Sequence, residues 1–365
     1  MNIFRRISLD RLLVVCGLAV AVGVSATALA SALGSDAKPP AKPLAVAVHD
    51  ALAAPPVEGV SANIKLTDHL LEGANLASGD SSGAGELASN PLLSGASGRL
   101  WIAKDGRARL ELQAEKGDTQ ILYDGKTITA YDAATNTLYR YTPATDEKPD
   151  TTDTHGEVPS VAKIEETISH LKEHANVSEA TPANVAGQPA YTVRVSPKES
   201  GSMIGGAELS FDAVHGAPLR AALYSSTNAS APVIELAATE VSYGPVAASV
   251  FSFTPPPGAK VEDLGTSDTP PSSTTGSDQS TKPTLTGHGH GISTIGVLES
   301  KTQSTEGKSP SKALEGLPKV DINGVSASEL RTELGTILSF ERSGVRYVVA
   351  GAVSPSAVEA LARGL

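Results

Sequence analysis

The sequence predicts a mainly β protein of the α+β class, built around an antiparallel meander. Three observations carry this. From residue 99 to 114, Leu100, Ile102, Ala108, Leu110, Leu112 and Ala114 occupy even positions, while Arg99, Arg107, Arg109, Glu111 and Gln113 occupy odd ones. That is the period-two signature of strands with one apolar face. Asp105-Gly106 and Asp124-Gly125 punctuate the pattern as hairpin turns. Further on, Val161, Ile164, Ile168 and Leu171 fall at spacings of three, four and three, the stripe of an amphipathic helix.

The chain opens with a basic segment (Arg5, Arg6, Arg11), followed by an uncharged run from Leu12 to Ala32. Small residues near its end (Ala28, Ala30, Ala32) suit a signal-peptide cleavage site, and the run is also long enough for a single anchor. Residues 1–32 therefore read as a signal peptide or an N-terminal anchor. Either way the positive flank stays inside and the body is exported. Residues 35–43 form a polar linker. Residues 44–54 are Ala- and Val-rich and read as a helix stopped by Pro55-Pro56. Val60, Ala62, Ile64 and Leu66 alternate as a strand, and the Gly-, Ser- and Ala-rich residues 73–98 read as a long loop.

After the first hairpin, Ile121 and Tyr123 lead into the second turn, and Ile128 follows it. Tyr131 precedes an Asn-containing turn at Thr135–Thr137, and Leu138 to Tyr141 forms the next strand. Thr145–Val158 is loop-like, and Ser160 is placed to cap the amphipathic helix. Strands follow at Ala190–Ser196, Ala207–Asp212, Leu219–Ser225, Val233–Ser242 and Val250–Thr254, and Pro255-Pro256-Pro257-Gly258 ends the regular pattern. Residues 266–284 read as a disordered linker. Residues 285–365 read as a small α+β unit. It comprises a strand at Ile292–Leu298, a short helix opened by the capping box Ser326-Ala327-Ser328-Glu329, a hairpin across Ser343-Gly344 and a last helix over 355–363.

The charge balance, 29 Lys+Arg against 40 Asp+Glu, lacks the basic footprint of a nucleic-acid binder. The single cysteine, Cys16, lies in the N-terminal apolar run, so no disulfide framework and no cysteine-based zinc site is expected. No phosphate-binding loop, dinucleotide fingerprint or nucleophile elbow occurs, and no cofactor is expected. His170-Leu171-Lys172-Glu173-His174 matches the inverted zinc-protease spacing. The β-rich context supplies no second helix for a third ligand, so a solvated helix face is the reading and no metal site is assigned. His288-Gly289-His290-Gly291 reads as flexible linker.

Several segments resemble the LolA-like superfamily, which holds outer-membrane lipoprotein carriers and the sensor domains of RseB-type sigma-E regulators. They are the stretch from Val185-Ala186-Gly187-Gln188-Pro189-Ala190-Tyr191 to Pro197-Lys198, Asp212-Ala213-Val214-His215-Gly216-Ala217-Pro218-Leu219-Arg220, and Phe251-Ser252-Phe253-Thr254-Pro255-Pro256-Pro257-Gly258. The resemblance spans about residues 45–265. The C-terminal unit, with Gly344-Val345-Arg346-Tyr347-Val348-Val349-Ala350-Gly351, looks like the tail of actinobacterial members.

The resemblance implies a curved antiparallel half-barrel whose concave face is covered by helices and takes acyl chains. On that reading the cavity is lined by Leu100, Ile102, Leu110, Leu112, Ile121, Tyr123, Ile128, Leu138, Tyr191, Val193, Leu209, Phe211 and Leu223, with Val161, Ile164, Ile168 and Leu171 on a lid helix. An ordinary permanently packed core is the alternative that the alternation itself leaves open. The implied function is that of an exported, non-enzymatic carrier of lipid or of lipoprotein acyl anchors. The alternative is an RseB-like envelope-stress sensor that binds a membrane-anchored anti-sigma factor.

Overall fold

A computed structural model describes residues 38–72, 95–114, 117–143, 158–266, 284–301 and 317–365. The expected loop at Thr145–Val158 lies almost wholly outside them, as do residues 1–37 and the linker residues 267–283.

Alternating apolar residues and Gly- or Asn-centred turns produce the meander. Helix α1 (Leu44–Ala53) leads into β1 (Gly59–Asp68). β2 (Ala96–Ala103) and β3 (Ala108–Ala114) meet at Asp105-Gly106, where Gly106 takes a positive φ of 85°. β4 (Gly117–Tyr123) and β5 (Ile128–Asp132) turn at Asp124-Gly125, and Asn136, at φ 47°, turns β5 into β6 (Thr137–Thr142). Helix α2 (Val161–His174) starts where the Ser160 side chain accepts from the Lys163 N–H. There follow β7 (Ala175–Val177), β8 (Thr181–Val185), β9 (Gln188–Pro197), β10 (Ile204–Asp212), β11 (Pro218–Ser225), β12 (Pro232–Tyr243) and β13 (Lys260–Thr266).

These thirteen strands form one open sheet in the order β13-β6-β5-β4-β3-β2-β1-β12-β11-β10-β9-β7, with β8 also paired to β9. All pairings are antiparallel except the parallel β13–β6 pair. The first and last strands do not meet, so the sheet is a half-barrel and not a closed barrel.

A second, six-stranded antiparallel sheet has the order β14 (Thr284–His288), β15 (Ile295–Lys301), β19 (Val345–Gly351), β18 (Thr336–Arg342), β17 (Val325–Arg331), β16 (Lys319–Ile322). Helix α3 (Pro355–Arg363) packs on one face, and Val297, Ile322, Ala327, Leu338, Val349, Val358 and Ala362 are fully buried there. The two sheets touch through backbone groups. Ser202 bridges Val353, the Met203 N–H donates to Ala352 O at 2.7 Å, and the Glu333 N–H donates to Leu70 O at 3.2 Å.

Several expectations need correction. The capping-box helix at Ser326–Glu329 is instead part of β17, held between β16 and β18. Asn323-Gly324, both at positive φ, makes the tight β16–β17 hairpin, and ladder pairing overrides the local cap signal. Val250–Thr254 is not a strand: Ala248–Phe251 is a single 3₁₀ turn. The Pro-rich segment does not end the sheet, because β13 follows and pairs with β6. The strand placed at Ile292–Leu298 runs over Ile295–Lys301, and β14, with Thr284 already in it, pairs with it. Ala96–Gly98 belongs to β2 and not to the preceding loop.

Candidate functional site: the helix-bearing face of the open sheet

Residues paired directly across an antiparallel ladder share a face. From β1 outward the register sets Ala62 opposite Leu100, Leu100 opposite Leu110, and Leu110 opposite Ile121. The neighbouring rows join Val60 to Ile102, Ile102 to Ala108, Ala108 to Tyr123, and Tyr123 to Ile128, while Leu112 lies opposite Gly98. In the other direction, Leu209 faces Val193, Phe211 faces Tyr191, and Leu223 faces Ile234. Of the thirteen residues named as cavity lining, twelve therefore lie on one continuous face.

Leu138 does not. It pairs with Tyr131, on the opposite face, where the Tyr131 ring packs tilted against Phe253, centroids 5.3 Å apart. In the β6 segment Leu-Tyr-Arg-Tyr, Leu138 shares its phase with the charged Arg140, whereas Tyr139 and Tyr141 share the other, so the aliphatic residue by itself points to the wrong inner side. The register puts Tyr139 and Tyr141, not Leu138, in the rows of Ala130 and Ile128. That opposite face has its own cover: Trp101, Ala103 and Leu122 pack against Val246, Val250, Phe251 and Phe253.

The helices cover only one end of the inner face. Leu44 and Ala47 of α1 pack with Tyr191, Phe211 and Ala180, and Ile168 of α2 joins this cluster. α1 is firmly seated, with Leu44, Ala45 and Ala47 buried. The Tyr191 hydroxyl donates to Pro40 O at 2.6 Å just before the helix. α2 is loosely seated. Of its stripe Ile164 alone is buried, Val161 and Ile168 are half-buried, and Leu171 is 44% exposed. His170 is largely exposed and sits beside Glu173 and Glu166, and His174 is exposed at the helix end.

Beyond the helices the face is open. A row runs from Val193 through Leu209, Ala221, Leu236 and Leu66 to Ala96. Within it Leu209 is 45% and Leu236 40% exposed. Ala221 between them is exposed as well. The row ends at a depression of about 510 Å³, which Leu66, Ala96 and Ala114 share with Asp68, His69 and Glu72. Burial pushes the Asp68 carboxyl up, against the Leu70 N–H that it accepts.

Sequence reasoning missed Ile234, Leu236 and Ala221. The signal was present in β12. Ile234, Leu236 and Ala238 are apolar on even positions, whereas Val241 and Tyr243 continue on odd ones. The switch marks the bulge at which the register slips between Asn63 and Ile64.

The seat of α1 rests on a buried polar cluster at the β10–β11 turn. Asp212 is fully buried and accepts from the Tyr243 hydroxyl at 2.6 Å and from the N–H groups of Val214 and His215. His215 stacks on Tyr243 at 3.8 Å, with its Nδ1 3.4 Å from Asp212. Burial works to raise the Asp212 carboxyl, but His215, Tyr243 and the two backbone donors outweigh it and hold the pKa below its ordinary value. Burial, then the Asp212 charge, pushes the Tyr243 hydroxyl far up.

A depressed carboxylate contributes stability that is complete above its unfolded pKa and is lost as pH falls through its folded value. Asp212→Asn is therefore expected to destabilise the protein at pH 7. The gap to the parent should narrow below about pH 4. Thermal melts of both chains across pH 3–7 check this, and a constant gap would refute the ionic contribution.

No family model and no curated protein matches the sequence. Among solved structures, the chain is similar to MucB of Pseudomonas aeruginosa in its complex with MucA. The match has 14% identity, 87% of this chain and 95% of that one, and a TM-score of 0.41. It is also similar to an uncharacterized conserved protein from Thermus thermophilus, at 10% identity, 60% of this chain, 96% of that one and a TM-score of 0.33. A LolA superfamily protein from Nitrosomonas europaea matches at 9% identity, 85% of this chain, 91% of that one and a TM-score of 0.19. The half-barrel stands on the strand order and register of this chain. No helix among the described residues is long and apolar enough to cross a membrane.

Proposed function

We propose that this protein is an exported, non-enzymatic carrier that binds lipid, or the acyl anchor of lipoproteins, on the helix-bearing face of its half-barrel. The observation that carries the reading is the exposed row Leu209–Ala221–Leu236, an apolar strip left open beside a firmly seated α1 and a loosely seated α2. A packed core would have covered it. Such a strip is matched by a flexible apolar chain, which gains about 0.8 kcal/mol per buried CH₂. Fully burying an Ile side chain contributes about 1.5–3 kcal/mol. About four methylenes therefore match the hold of Ile164 on α2, so an acyl chain can displace α2 while α1 stays in place. The N-terminal apolar run, read as a cleaved signal or an anchor, supports a place in the cell envelope, where such cargo is found.

Native mass spectrometry of the chain purified from its envelope, followed by lipid extraction, tests this. The expected result is a stoichiometric adduct that extracts as an acyl lipid or acylated peptide. A bare mass that takes up no added lipid or acylated peptide would refute the carrier. It would leave the RseB-like reading, in which the same chain binds a membrane-anchored regulatory protein.

A further inference from the structure

Among the described residues, the outer edges of the two sheets differ in how they are guarded. An edge strand offers unpaired N–H and C=O groups, and proteins blunt such edges with charges, prolines, bulges or short length. β13 carries Lys260, Glu262 and Asp263, and β16 carries Lys319 and Asp321. β7 is three residues long, and β8 contains Pro182. β14, Thr-Leu-Thr-Gly-His, has none of these devices. It has no Lys, Arg, Asp or Glu and no proline, its register with β15 is unbroken, and all five residues are exposed. Leu285 is 74% exposed and lies beside Leu298, itself 37% exposed, on the sheet face away from α3. Behind the strand, the β14–β15 turn is held to the first sheet by the Ser293 hydroxyl, which donates to Glu199.

We infer that β14 is a self-pairing edge, and that two copies of this chain join through it as an antiparallel β14–β14 ladder centred on Thr286. The strand is self-complementary about that centre. Leu285 of one copy falls opposite Gly287 of the other, and Thr284 falls opposite His288. Leu285 and Gly287 share a face, so each leucine enters the space that the facing glycine leaves. The same pairing repeats by the two-fold axis, as an isologous interface requires. Within one chain Leu285 already leans diagonally over a glycine of the neighbouring strand, its Cδ1 being 3.9 Å from where a Cβ of Gly296 would stand.

Charge permits the approach. The whole chain is strongly acidic, at −11, yet from residue 284 onward acidic and basic residues are equal in number. Two copies thus meet through their neutral ends and hold their acidic bodies apart. A five-residue ladder buries little area, so the dimer is weak and depends on concentration.

Cysteine cross-linking tests the register, because Cys16 is the only cysteine. In the full chain carrying Cys16→Ser, Thr286→Cys places two thiols on the two-fold axis. Directly opposed residues have Cα atoms about 4.5–5.5 Å apart, within disulfide reach. Thr284→Cys leaves its two thiols about 14 Å apart along the strands. Mild oxidation is expected to dimerise Thr286→Cys on the order of tenfold faster than Thr284→Cys. Adding Leu285→Lys should remove the difference, with circular dichroism unchanged. Sedimentation of the uncrosslinked chain should show a concentration-dependent dimer. Equal rates at 284 and 286, a chain that stays monomeric at every concentration, or a cross-link to a different protein in envelope extracts would each overturn the inference.

Discussion

Leu209→Arg and Leu236→Arg are each expected to fold normally and to lose at least about tenfold in acyl-ligand loading. Both side chains are nearly half exposed, so replacing them disturbs little packing, and surface changes of this kind usually shift stability by less than about 0.5 kcal/mol. Loading should suffer because a guanidinium set among Val193, Ala221 and Leu66 must be desolvated, or must swing out, before an apolar chain can lie there. Titration with a fluorescent fatty acid, beside a thermal melt, reads both quantities. Leu110→Arg is the contrast. Leu110 packs against the buried Ala62–Leu112 cluster, so that change should lower stability as well as loading. If Leu209→Arg and Leu236→Arg are folded and load as the parent does, the exposed row is not the ligand surface.

Gly216→Ala is expected to unseat α1. Gly216 has φ 69°, in the left-handed region, and a Cβ there would stand 2.2 Å from the Ala51 carbonyl oxygen in the last turn of α1. The conformation alone costs a non-glycine residue about 1–2 kcal/mol. The clash is with backbone, so relief requires the helix to move. Movement of α1 would break the Leu44–Ala47 contacts with Tyr191 and Phe211. We expect a loss of about 3 kcal/mol or more. Hydrogen exchange should localise it, with protection lost over residues 44–53 and kept in β1–β5. Gly106→Ala is the control: it has a positive φ of 85° but nothing near its Cβ, so it carries the conformational cost alone. Equal losses in the two variants would mean that Gly216 does not hold the helix.

The meander was legible because its information is local. A residue's face in a strand follows from parity, and Asp105-Gly106, Asp124-Gly125 and Asn136 mark where the parity resets. The amphipathic stripe of α2 was legible for the same reason, and so were Ser160 as its cap and Pro355 at the start of α3. The candidate site was legible wherever a strand keeps one phase. It was misread at Leu138, which shares its phase with Arg140 while Tyr139 and Tyr141 hold the inner phase of β6, and missed at Leu236, where a bulge changes phase within β12.

By itself, the sequence determined a mainly β chain with one apolar sheet face and an amphipathic helix beside it, since each follows from runs, periods and turn residues a few positions apart. Tertiary structure alone decided the parallel pairing of β13 with β6, the conversion of Ser326–Glu329 from helix to strand, and the seat of α1 on Gly216. It alone decided that α1 and α2 cover Tyr191 and Phe211 while Leu209 and Leu236 stay open. These depend on partners more than a hundred residues away or on competing ladders, and no local period records what will come to lie against a strand.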